Sequence, residues 1–393
     1  MSKMILETPY GTRDFLPKSA AAKRAVEQKI LNLFRLYGYE EVVTPTPEYL
    51  ETLTTGSSRS IEAHMFKMFD RNNRTLALRH EMTTPIARLV SSRMKDAPMP
   101  LKLSYNATVF RYEQTLPGRQ CEFNQAGVEL LGASSTAADA EIIALAVESL
   151  HAVGLEDFEV CLGQVEFASG LMEQCALNSE TQLQLKSAIE AHDIVRLEST
   201  VDALKLPKSA AAALKKIPYL HGGREILDEA HGIALNEQSR RALDNLSAIY
   251  RLLENYGAAH AIKFDLGLIR DFNYYTGMVF EAYAPGLGYS LAGGGRYDHM
   301  LKDFGMACPA TGFALGIERV LLARKRQGLV EDFRSKKTYV GYDAQSLGKA
   351  IEIAKQLRGS GEAAELALIP QTNSEAEVSR VEKNCEKLIY VNA

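Results

Sequence analysis

Residues 266–277 run Leu-Gly-Leu-Ile-Arg-Asp-Phe-Asn-Tyr-Tyr-Thr-Gly, and residues 293–298 run Gly-Gly-Gly-Arg-Tyr-Asp. Between them, we predict a strand from Val279, Phe280, Ala282 and Tyr283. It begins a hairpin whose turn lies at residues 285–288 and which returns through Tyr289 to Ala292. Glycines on a strand let a ligand or another backbone approach closely, because they carry no Cβ. We therefore expect the arginine and tyrosine side chains of both segments to lie on one sheet surface and to face a flat ligand.

The composition is that of an ordinary globular protein. Apolar residues make up 46% of the 393 residues and charged residues 24%, a balance that excludes disordered and fibrous proteins. The net charge is -4 and the pI is near 6.1, so nothing indicates the basic face of a nucleic-acid-binding protein. The length favours two or three domains.

The five cysteines are widely spaced and form no Cys-x-x-Cys pair, so the sequence predicts neither a disulfide framework nor a zinc site. The eight histidines show no metal-ligand spacing either, and we expect no metal and no cofactor. The N-terminus lacks the apolar run of a signal peptide, and no later stretch approaches the roughly 20 apolar residues of a membrane span. We therefore expect a cytoplasmic protein with no membrane partner.

Helix and strand patterns alternate along the chain. Between residues of about 166 and 256 the pattern changes to successive alanine- and leucine-rich helices, which predicts an inserted helical subdomain. The other predicted helices cover residues 19–37, 137–153, 317–326, 347–357 and 375–384. The predicted strands cover residues 41–44, 66–69, 75–79, 101–113, 122–131, 336–340, 365–369 and 387–391.

Four further segments carry polar residues in or beside predicted strands. On one strand, Arg111 and Glu113 lie two residues apart and therefore point to the same face. On the next strand, Gln125, Gly127 and Glu129 share a face in the same way. Such a face is costly to bury without a polar ligand, although a single strand of this kind is more often a solvated surface. The other two segments are Leu-Arg-His-Glu-Met-Thr-Thr-Pro at residues 78–85 and Gly-Phe-Ala-Leu-Gly-Ile-Glu-Arg at residues 312–319.

The ordered series of these segments resembles the catalytic domain of class II aminoacyl-tRNA synthetases, and specifically histidyl-tRNA synthetase. Residues 110–113 resemble the second class-defining motif and residues 316–319 the third, while the two opening segments resemble the histidine-specific motifs. The resemblance implies an α+β fold in which helices flank an antiparallel sheet. It predicts a synthetase-like domain at residues 1–325, with the helical insertion at about 166–256, and a shortened C-terminal α/β domain at residues 326–393.

In that family the pocket holds free histidine, and the resemblance implies a role for each matching residue. Glu81, Thr83 and Gln125 match positions that bind the α-amino group. The imidazole nitrogens are contacted from the positions of Glu129 and Tyr275. By resemblance, the histidine-binding residues are Glu81, Thr83, Arg111, Gln125, Glu129, Arg270, Tyr274, Tyr275 and Tyr297, where Arg270 lies near the carboxylate and Tyr274 and Tyr297 form the pocket wall.

The nucleotide part of the family's site is only partly matched, which implies a vestigial site of Arg111, Glu113, Arg119 and Arg319 and no catalytic residue. In histidyl-tRNA synthetases the loop after the second motif is rich in basic and aromatic residues. Here residues 114–122 run Gln-Thr-Leu-Pro-Gly-Arg-Gln-Cys-Glu, in which only Arg119 keeps a charge at a matching place. In addition, the family's Arg-Gly-Leu-Asp-Tyr-Tyr becomes Arg-Asp-Phe-Asn-Tyr-Tyr at residues 270–275, which puts an acidic residue where glycine gives room.

A histidine pocket beside a weakened ATP and tRNA apparatus resembles the regulatory subunit of ATP phosphoribosyltransferase, the histidyl-tRNA synthetase paralogue of histidine biosynthesis. That family has no activity of its own. It assembles with a short catalytic subunit, which condenses ATP with phosphoribosyl pyrophosphate, and confers activation and histidine feedback control. The resemblance implies a protein that binds free L-histidine, forms a homodimer within a larger hetero-oligomer and does not bind tRNA, with the dimer contact around the Thr-Pro-Thr-Pro run at residues 44–47.

Two other interpretations stay open. One is an active histidyl-tRNA synthetase with a reduced C-terminal domain, since Arg111, Arg270 and Arg319 are retained. The other is a stand-alone histidine-sensing module attached to some other partner.

Overall fold

The structure is a computed structural model, and it describes residues 6–55, 59–112, 120–234, 236–268, 274–329 and 337–393. The helices are α1 (Pro17–Leu36), α2 (Leu50–Thr54), α3 (Arg59–Glu62), α4 (Thr83–Arg93), α5 (Thr136–Ala152), α6 (Val165–Gln174), α7 (Ser179–Glu190), α8 (Ile194–Ala203), α9 (Lys208–Lys216), α10 (Glu225–His231), α11 (Glu237–Asn255), α12 (Met300–Asp303), α13 (Ile317–Arg326), α14 (Leu347–Gly359) and α15 (Asn373–Glu382). The strands are β1 (Glu40–Glu41), β2 (Pro47–Tyr49), β3 (Lys67–Phe69), β4 (Thr75–Leu78), β5 (Leu101–Phe110), β6 (Glu122–Leu131), β7 (Glu159–Gln164), β8 (His221–Gly222), β9 (Ile262–Asp265), β10 (Met278–Tyr283), β11 (Ala292–Arg296), β12 (Ala310–Gly316), β13 (Lys337–Tyr342), β14 (Ala363–Leu366) and β15 (Lys387–Val391).

The chain divides into two compact units, one of Met1–Asp14 with Lys23–Val330 and one of Phe15–Ala22 with Glu331–Ala393. The larger unit is built on a nine-stranded sheet with the order β1-β5-β6-β12-β11-β10-β7-β9-β8. Its pairs are antiparallel except for β1 with β5 and β7 with β9 among the described residues. The predicted α+β fold, an antiparallel sheet flanked by helices, is confirmed.

Period-two alternation on β6 separates two environments. Ala126, Val128 and Leu130 enter the main apolar core, which the sheet shares with α1, α5 and α13. Gln125 and Glu129 point to the other face, where a smaller core packs around α4 and α12. The same strand therefore supplies apolar residues to one layer and polar residues to the other.

Helices α6 to α11 lie in sequence between β7 and β9, where the sequence predicts the inserted subdomain. Side-chain caps mark several of their starts: Asn178 accepts from Thr181 N, Asp193 from Arg196 N and Asn236 from Ser239 N. Among the described residues, no helix has the length and apolarity that crossing a membrane would require.

The smaller unit contains a three-stranded parallel sheet with the order β14-β13-β15. Its apolar core includes Tyr339, Val340, Ala350 and Ala376. Thr372 and Glu375 form a capping box at the start of α15, with each side chain accepting a backbone N–H of the other residue. The predicted alternation of strands and helices is present here, with ends that differ by a few residues. The domain roles that the sequence assigns stay predictions.

Two predicted strands end earlier than expected. β1 covers only Glu40–Glu41, and β5 stops at Phe110 instead of reaching residue 113. After Phe110, Tyr112 leaves the sheet because its N–H donates to His64 O at 2.9 Å and its ring stacks on Phe66 with centroids 3.7 Å apart. The predicted strand at residues 101–113 is therefore too long, since Arg111 follows β5. Glu113 lies outside the described residues, so the shared face of Arg111 and Glu113 stays a prediction. The hairpin return is also later than predicted, because β11 begins only at Ala292.

A buried ion pair joins the end of β11 to α5. Arg296 Nε donates to both carboxylate oxygens of Asp139, at 3.0 and 3.1 Å. Its Nη1 donates to Ala133 O at 3.1 Å and to Asp298 Oδ1 at 3.0 Å, and Asp298 N donates to Thr276 Oγ1. Arg296 and Asp139 are only 7% and 2% exposed, so neither charge can find a substitute partner in water.

We predict that Asp139→Asn lowers the free energy of unfolding by about 3 kcal/mol, because it removes the buried counter-charge of the Arg296 guanidinium and leaves it paired with the partly exposed Asp298. Urea denaturation of the full chain measures the change. The control is Arg241→Gln, which breaks an exposed pair with Glu237 at 3.7 Å and should change stability by less than about 1 kcal/mol. Equal small effects in both variants would contradict the structural role of the buried pair.

Candidate functional site

A cavity lies on the polar face of β6, between α4, β11 and β12. Nine of the twelve predicted site residues line it, from six different segments of the chain. They are Glu81, Thr83, Arg111, Gln125, Glu129, Tyr274, Tyr275, Tyr297 and Arg319. The other three, Glu113, Arg119 and Arg270, lie outside the described residues. The ligand and the role of each residue stay predictions.

Glu129 on β6 lies in the floor of the cavity, the part lined by the strands of the sheet. Thr83 Oγ1 donates to its Oε1 at 2.9 Å, and the Tyr297 hydroxyl donates to its Oε2. The residue is 2% exposed, and burial raises the pKa of its carboxyl group to about 8, against the lowering effect of the two hydroxyl donors. Burial likewise raises the pKa of Tyr297 well above its usual value. The floor thus carries a carboxyl group that holds its proton at neutral pH.

Two glycines make room for the side chains of the floor. Gly312 on β12 is paired in register with Glu129, and a Cβ there would lie 2.0 Å from Glu129 Oε2. Gly295 on β11 is paired with Gly312, and a Cβ there would lie 2.8 Å from the Tyr275 ring. Since real Cβ atoms do not approach other atoms so closely, any larger residue would displace Glu129 or Tyr275.

The start of α4 supplies further hydrogen-bond acceptors to the cavity. The Glu81 carboxylate accepts from Thr83 N at 2.6 Å and from Thr84 N at 2.9 Å, so it satisfies two N–H groups of the first turn. Gln125 Oε1 is buried and has no hydrogen-bond partner among the residues that the structure describes. An unsatisfied buried acceptor is costly, so a ligand that donates a hydrogen bond there would be favoured.

Arg111 and Arg319 lie at the cavity wall and contact backbone carbonyls. Arg111 Nε donates to His80 O at 2.7 Å, and its guanidinium lies 5.4 Å from the centroid of the Phe123 ring. Arg319 Nη1 donates to Ser290 O at 2.8 Å. Both arginines are thus oriented by the protein itself, in a cavity that also contains Glu81 and Glu129.

Sequence reasoning missed several residues of the cavity. Tyr105 lines it from β5 and is paired in register with Gly127 on β6. Its position could have been found from alternation, because Leu103, Tyr105, Ala107 and Val109 all enter the core below the site. Gly312 belongs to a segment that the sequence singled out, but its role depends on a cross-strand pairing that no local pattern specifies. Among the described residues, no group of histidine, cysteine and carboxylate side chains could hold a metal ion.

Comparison with known proteins shows which family the chain resembles. The family model described as histidyl-tRNA synthetase matches residues 11–320. A protein named ATP phosphoribosyltransferase regulatory subunit from Moorella thermoacetica is 49% identical over 82% of this chain and 83% of its own length. One of the same name from Desulforamulus reducens is 42% identical over 97% of this chain and 94% of its own length.

The chain belongs to the ATP phosphoribosyltransferase regulatory subunit family.

Solved structures agree with this family and its synthetase-like fold. A crystal structure described as an ATP phosphoribosyltransferase regulatory subunit/histidyl-tRNA synthetase from Bacillus halodurans C has a TM-score of 0.89 at 35% identity, covering 100% of this chain and 99% of that chain. The histidyl-tRNA synthetase of Nostoc sp. PCC 7120 has a TM-score of 0.85 at 19% identity, covering 100% and 92%, which shows the shared fold alone. The predicted relationship to the regulatory subunits is confirmed.

We predict that Glu129→Gln stabilises the ligand-free protein more at pH 8 than at pH 5. Between its unfolded pKa of 4.5 and its folded pKa of about 8, wild-type Glu129 releases its proton only on unfolding, so wild-type stability falls as pH rises through this range. Glutamine removes that dependence. The unfolding free energy of Glu129→Gln minus that of wild type should therefore increase by on the order of 3 kcal/mol from pH 5 to pH 8.

Urea denaturation at both pH values checks this prediction. Glu382→Gln, which removes an exposed carboxylate at the end of α15, is the control for the loss of a charge. A difference between Glu129→Gln and wild type that is the same at pH 5 and pH 8 would contradict a protonated Glu129.

Proposed function

We propose that the protein is a non-catalytic regulatory subunit of ATP phosphoribosyltransferase that binds free L-histidine. It assembles with a short catalytic subunit, which condenses ATP with phosphoribosyl pyrophosphate in the first step of histidine biosynthesis, and it confers activation and feedback control by histidine. The observation that carries this proposal is the convergence of the nine predicted residues on one cavity, in a chain whose relatives at 49% and 42% identity are named regulatory subunits.

The chemistry of the cavity fits a histidine zwitterion with an imidazole ring. Glu81 and the buried Gln125 Oε1 are acceptors for an α-ammonium group, and Glu129 is a partner for a ring nitrogen. By resemblance, Arg270 binds the α-carboxylate. Tyr274, Tyr275 and Tyr297 enclose the space with aromatic surface, with the ring centroids of Tyr274 and Tyr275 4.8 Å apart.

We infer that the protein does not aminoacylate tRNA. Arg111 and Arg319, which match the family's nucleotide arginines, each donate to a backbone carbonyl, and residues 114–122 keep one matching charge. Active histidyl-tRNA synthetase is the second candidate, because a related crystal structure carries both names and both arginines line the cavity. ATP–pyrophosphate exchange in the presence of histidine distinguishes the two, since only the synthetase would turn over.

The proposed assembly is a cytoplasmic homodimer within a larger hetero-oligomer. A hydrogen bond within the same chain holds the segment expected at the dimer contact, because Arg79 Nη1 donates to Thr44 O at 2.8 Å. Next to it, β2, β4 and β3 form a small sheet on which Phe69 is 73% exposed. Light scattering of the isolated chain at micromolar concentration tests the homodimer, and co-purification with the catalytic subunit tests the hetero-oligomer.

We predict that the chain binds histidine in calorimetry and that Gly312→Ala weakens this binding roughly ten- to a hundredfold. The new methyl group displaces the Glu129 carboxylate, so an imidazole N–H loses an acceptor worth about 1.5–3 kcal/mol. Glu129→Ala should have a similar effect, because it removes the acceptor outright. The matched control is Gly288→Ala, whose Cβ would meet no atom within 4 Å. Unchanged binding in both Gly312→Ala and Glu129→Ala would move the ligand out of this cavity.

We further predict that Glu81→Gln reduces the histidine sensitivity of the assembled complex. Feedback requires histidine to bind the inhibited assembly more tightly than the active one, with a coupling of roughly 1–3 kcal/mol. Removing the Glu81 charge should raise the histidine concentration for half-inhibition about tenfold, whereas the amide oxygen still accepts one of the N–H groups at the start of α4. This concentration is measured by following the rate at which the complex condenses ATP with phosphoribosyl pyrophosphate at increasing histidine concentrations, with Gly288→Ala as the control. Full histidine sensitivity in Glu81→Gln would place the sensing site elsewhere.

A further inference from the structure

Glu129 differs from the other buried carboxylates of this protein in what surrounds it. Four of them have a cationic side chain within salt-bridge distance, and a fifth, Glu81, caps two N–H groups of α4. The four pairs are Glu27 with Lys23 at 2.9 Å, Glu48 with Arg88 at 2.7 Å, Asp139 with Arg296 at 2.8 Å and Glu318 with Lys23 at 3.3 Å. Among the described residues, the hydrogen-bond partners of Glu129 are the two neutral hydroxyl groups of Thr83 and Tyr297.

The groups that face Glu129 from each neighbouring element are neutral or acidic. They are Thr83 and Glu81 at the start of α4, Tyr105 on β5, Gly312 on β12 and Tyr297 after β11. In the part of the chain that the structure describes, no lysine, arginine or histidine pairs with either carboxylate oxygen. Its pKa of about 8 follows from this burial without a counter-charge, so the carboxyl group of the empty pocket carries a proton at pH 7.

We propose that Glu129 is a specificity-determining residue that gives its own proton to the ligand, so that the imidazole of histidine is held as an imidazolium–carboxylate pair. This inference rests on histidine as the ligand of the cavity. The O–H bond of Glu129 breaks and an N–H bond forms at a ring nitrogen, so the total charge of protein and ligand does not change. No other reactant is needed.

The position of the proton in the complex follows from the donors already present. Both Thr83 and Tyr297 direct hydroxyl hydrogens at the two oxygens, and such donors favour the ionised carboxylate. The imidazolium adds the counter-charge that Glu129 lacks, in a buried site where opposite charges attract strongly. A free imidazole has a pKa of roughly 6.5, so neutral histidine arrives without the proton. Taking the proton from a carboxyl group with a pKa of about 8 costs about 2 kcal/mol for the separate groups, and the attraction within the buried ion pair exceeds this cost. An aromatic side chain that cannot accept a proton forms no such pair.

Proton uptake on binding is measured by titration calorimetry of the full chain with histidine in buffers of different ionisation enthalpy. The quantity of interest is the uptake by wild type minus the uptake by Glu129→Gln, because the subtraction removes the ionisation of the ligand's own groups. For a complex that keeps one proton between Glu129 and the ring, this difference should rise from about 0.25 at pH 7.5 to about 0.9 at pH 9, following the ionisation of Glu129 in the empty pocket.

The location of that proton is measured by 15N NMR of ring-labelled histidine bound at pH 8.5, where the free ring is neutral. We expect both ring nitrogens to be protonated in the wild-type complex, and one nitrogen to stay unprotonated with Glu129→Gln. Tyr297→Phe keeps the carboxyl group and removes one donor to the carboxylate, so it should shift the bound ring toward the neutral form.

The outcomes separate this inference from the proposed function. A difference in uptake that stays near zero, or near one, at both pH values would overturn it, because Glu129 would then not release a proton between them. One unprotonated ring nitrogen in the wild-type complex would also overturn it, even with the expected uptake. Saturable histidine binding in either case would leave the proposed ligand in place, whereas the lack of any histidine binding by wild type would refute both.

Discussion

The buried ion pair between Arg296 and Asp139 is the interaction on which the geometry of the site depends. It fixes the end of β11 against α5, and Asp298 extends it to Thr276, one residue after Tyr275. Alternation along the strand then places Tyr297 on the opposite face, where its hydroxyl reaches Glu129. The ion pair and its hydrogen bonds therefore position the two chain segments that carry Tyr275 and Tyr297. The rings of both tyrosines line the cavity.

A second constraint acts across the sheet. At two glycine positions of the cavity floor, any side chain would collide with a neighbouring residue. Gly312 and Gly295 lie side by side on β12 and β11, under Glu129 and Tyr275 respectively. This arrangement lets a carboxyl group and an aromatic ring approach the backbone closely, which creates a buried site rich in hydrogen-bond acceptors. Burying Glu129 with no cation beside it among the described residues is costly. A cationic or proton-accepting ligand would reduce that cost.

The fold, the sequence identity and the site of this protein bear on its function in different ways. The synthetase-like fold is shared with proteins as distant as 19% identity, and a fold alone does not determine what a site does. Identities of 49% and 42% to named regulatory subunits establish the family. The acceptors, aromatic walls and arginines of the cavity support the proposal that its ligand is an amino acid with a basic ring.

The sequence by itself determined the fold class, most of the helices and strands, and the group of residues that would share one face. It did so because hydrophobic periodicity and glycine placement are local signals, and because the segments at residues 266–277 and 293–298 are distinctive. Tertiary structure decided the rest. Tyr112 leaves the sheet because His64 and Phe66 offer it partners 46 or more residues away, and Arg296 is buried because Asp139 is paired with it across 157 positions. Most decisively, Glu129 has no counter-charge among the described residues because the fold brings two neutral donors to it, Thr83 and Tyr297, from separate segments of the chain. The ionisation of a buried group is set by its neighbours in space.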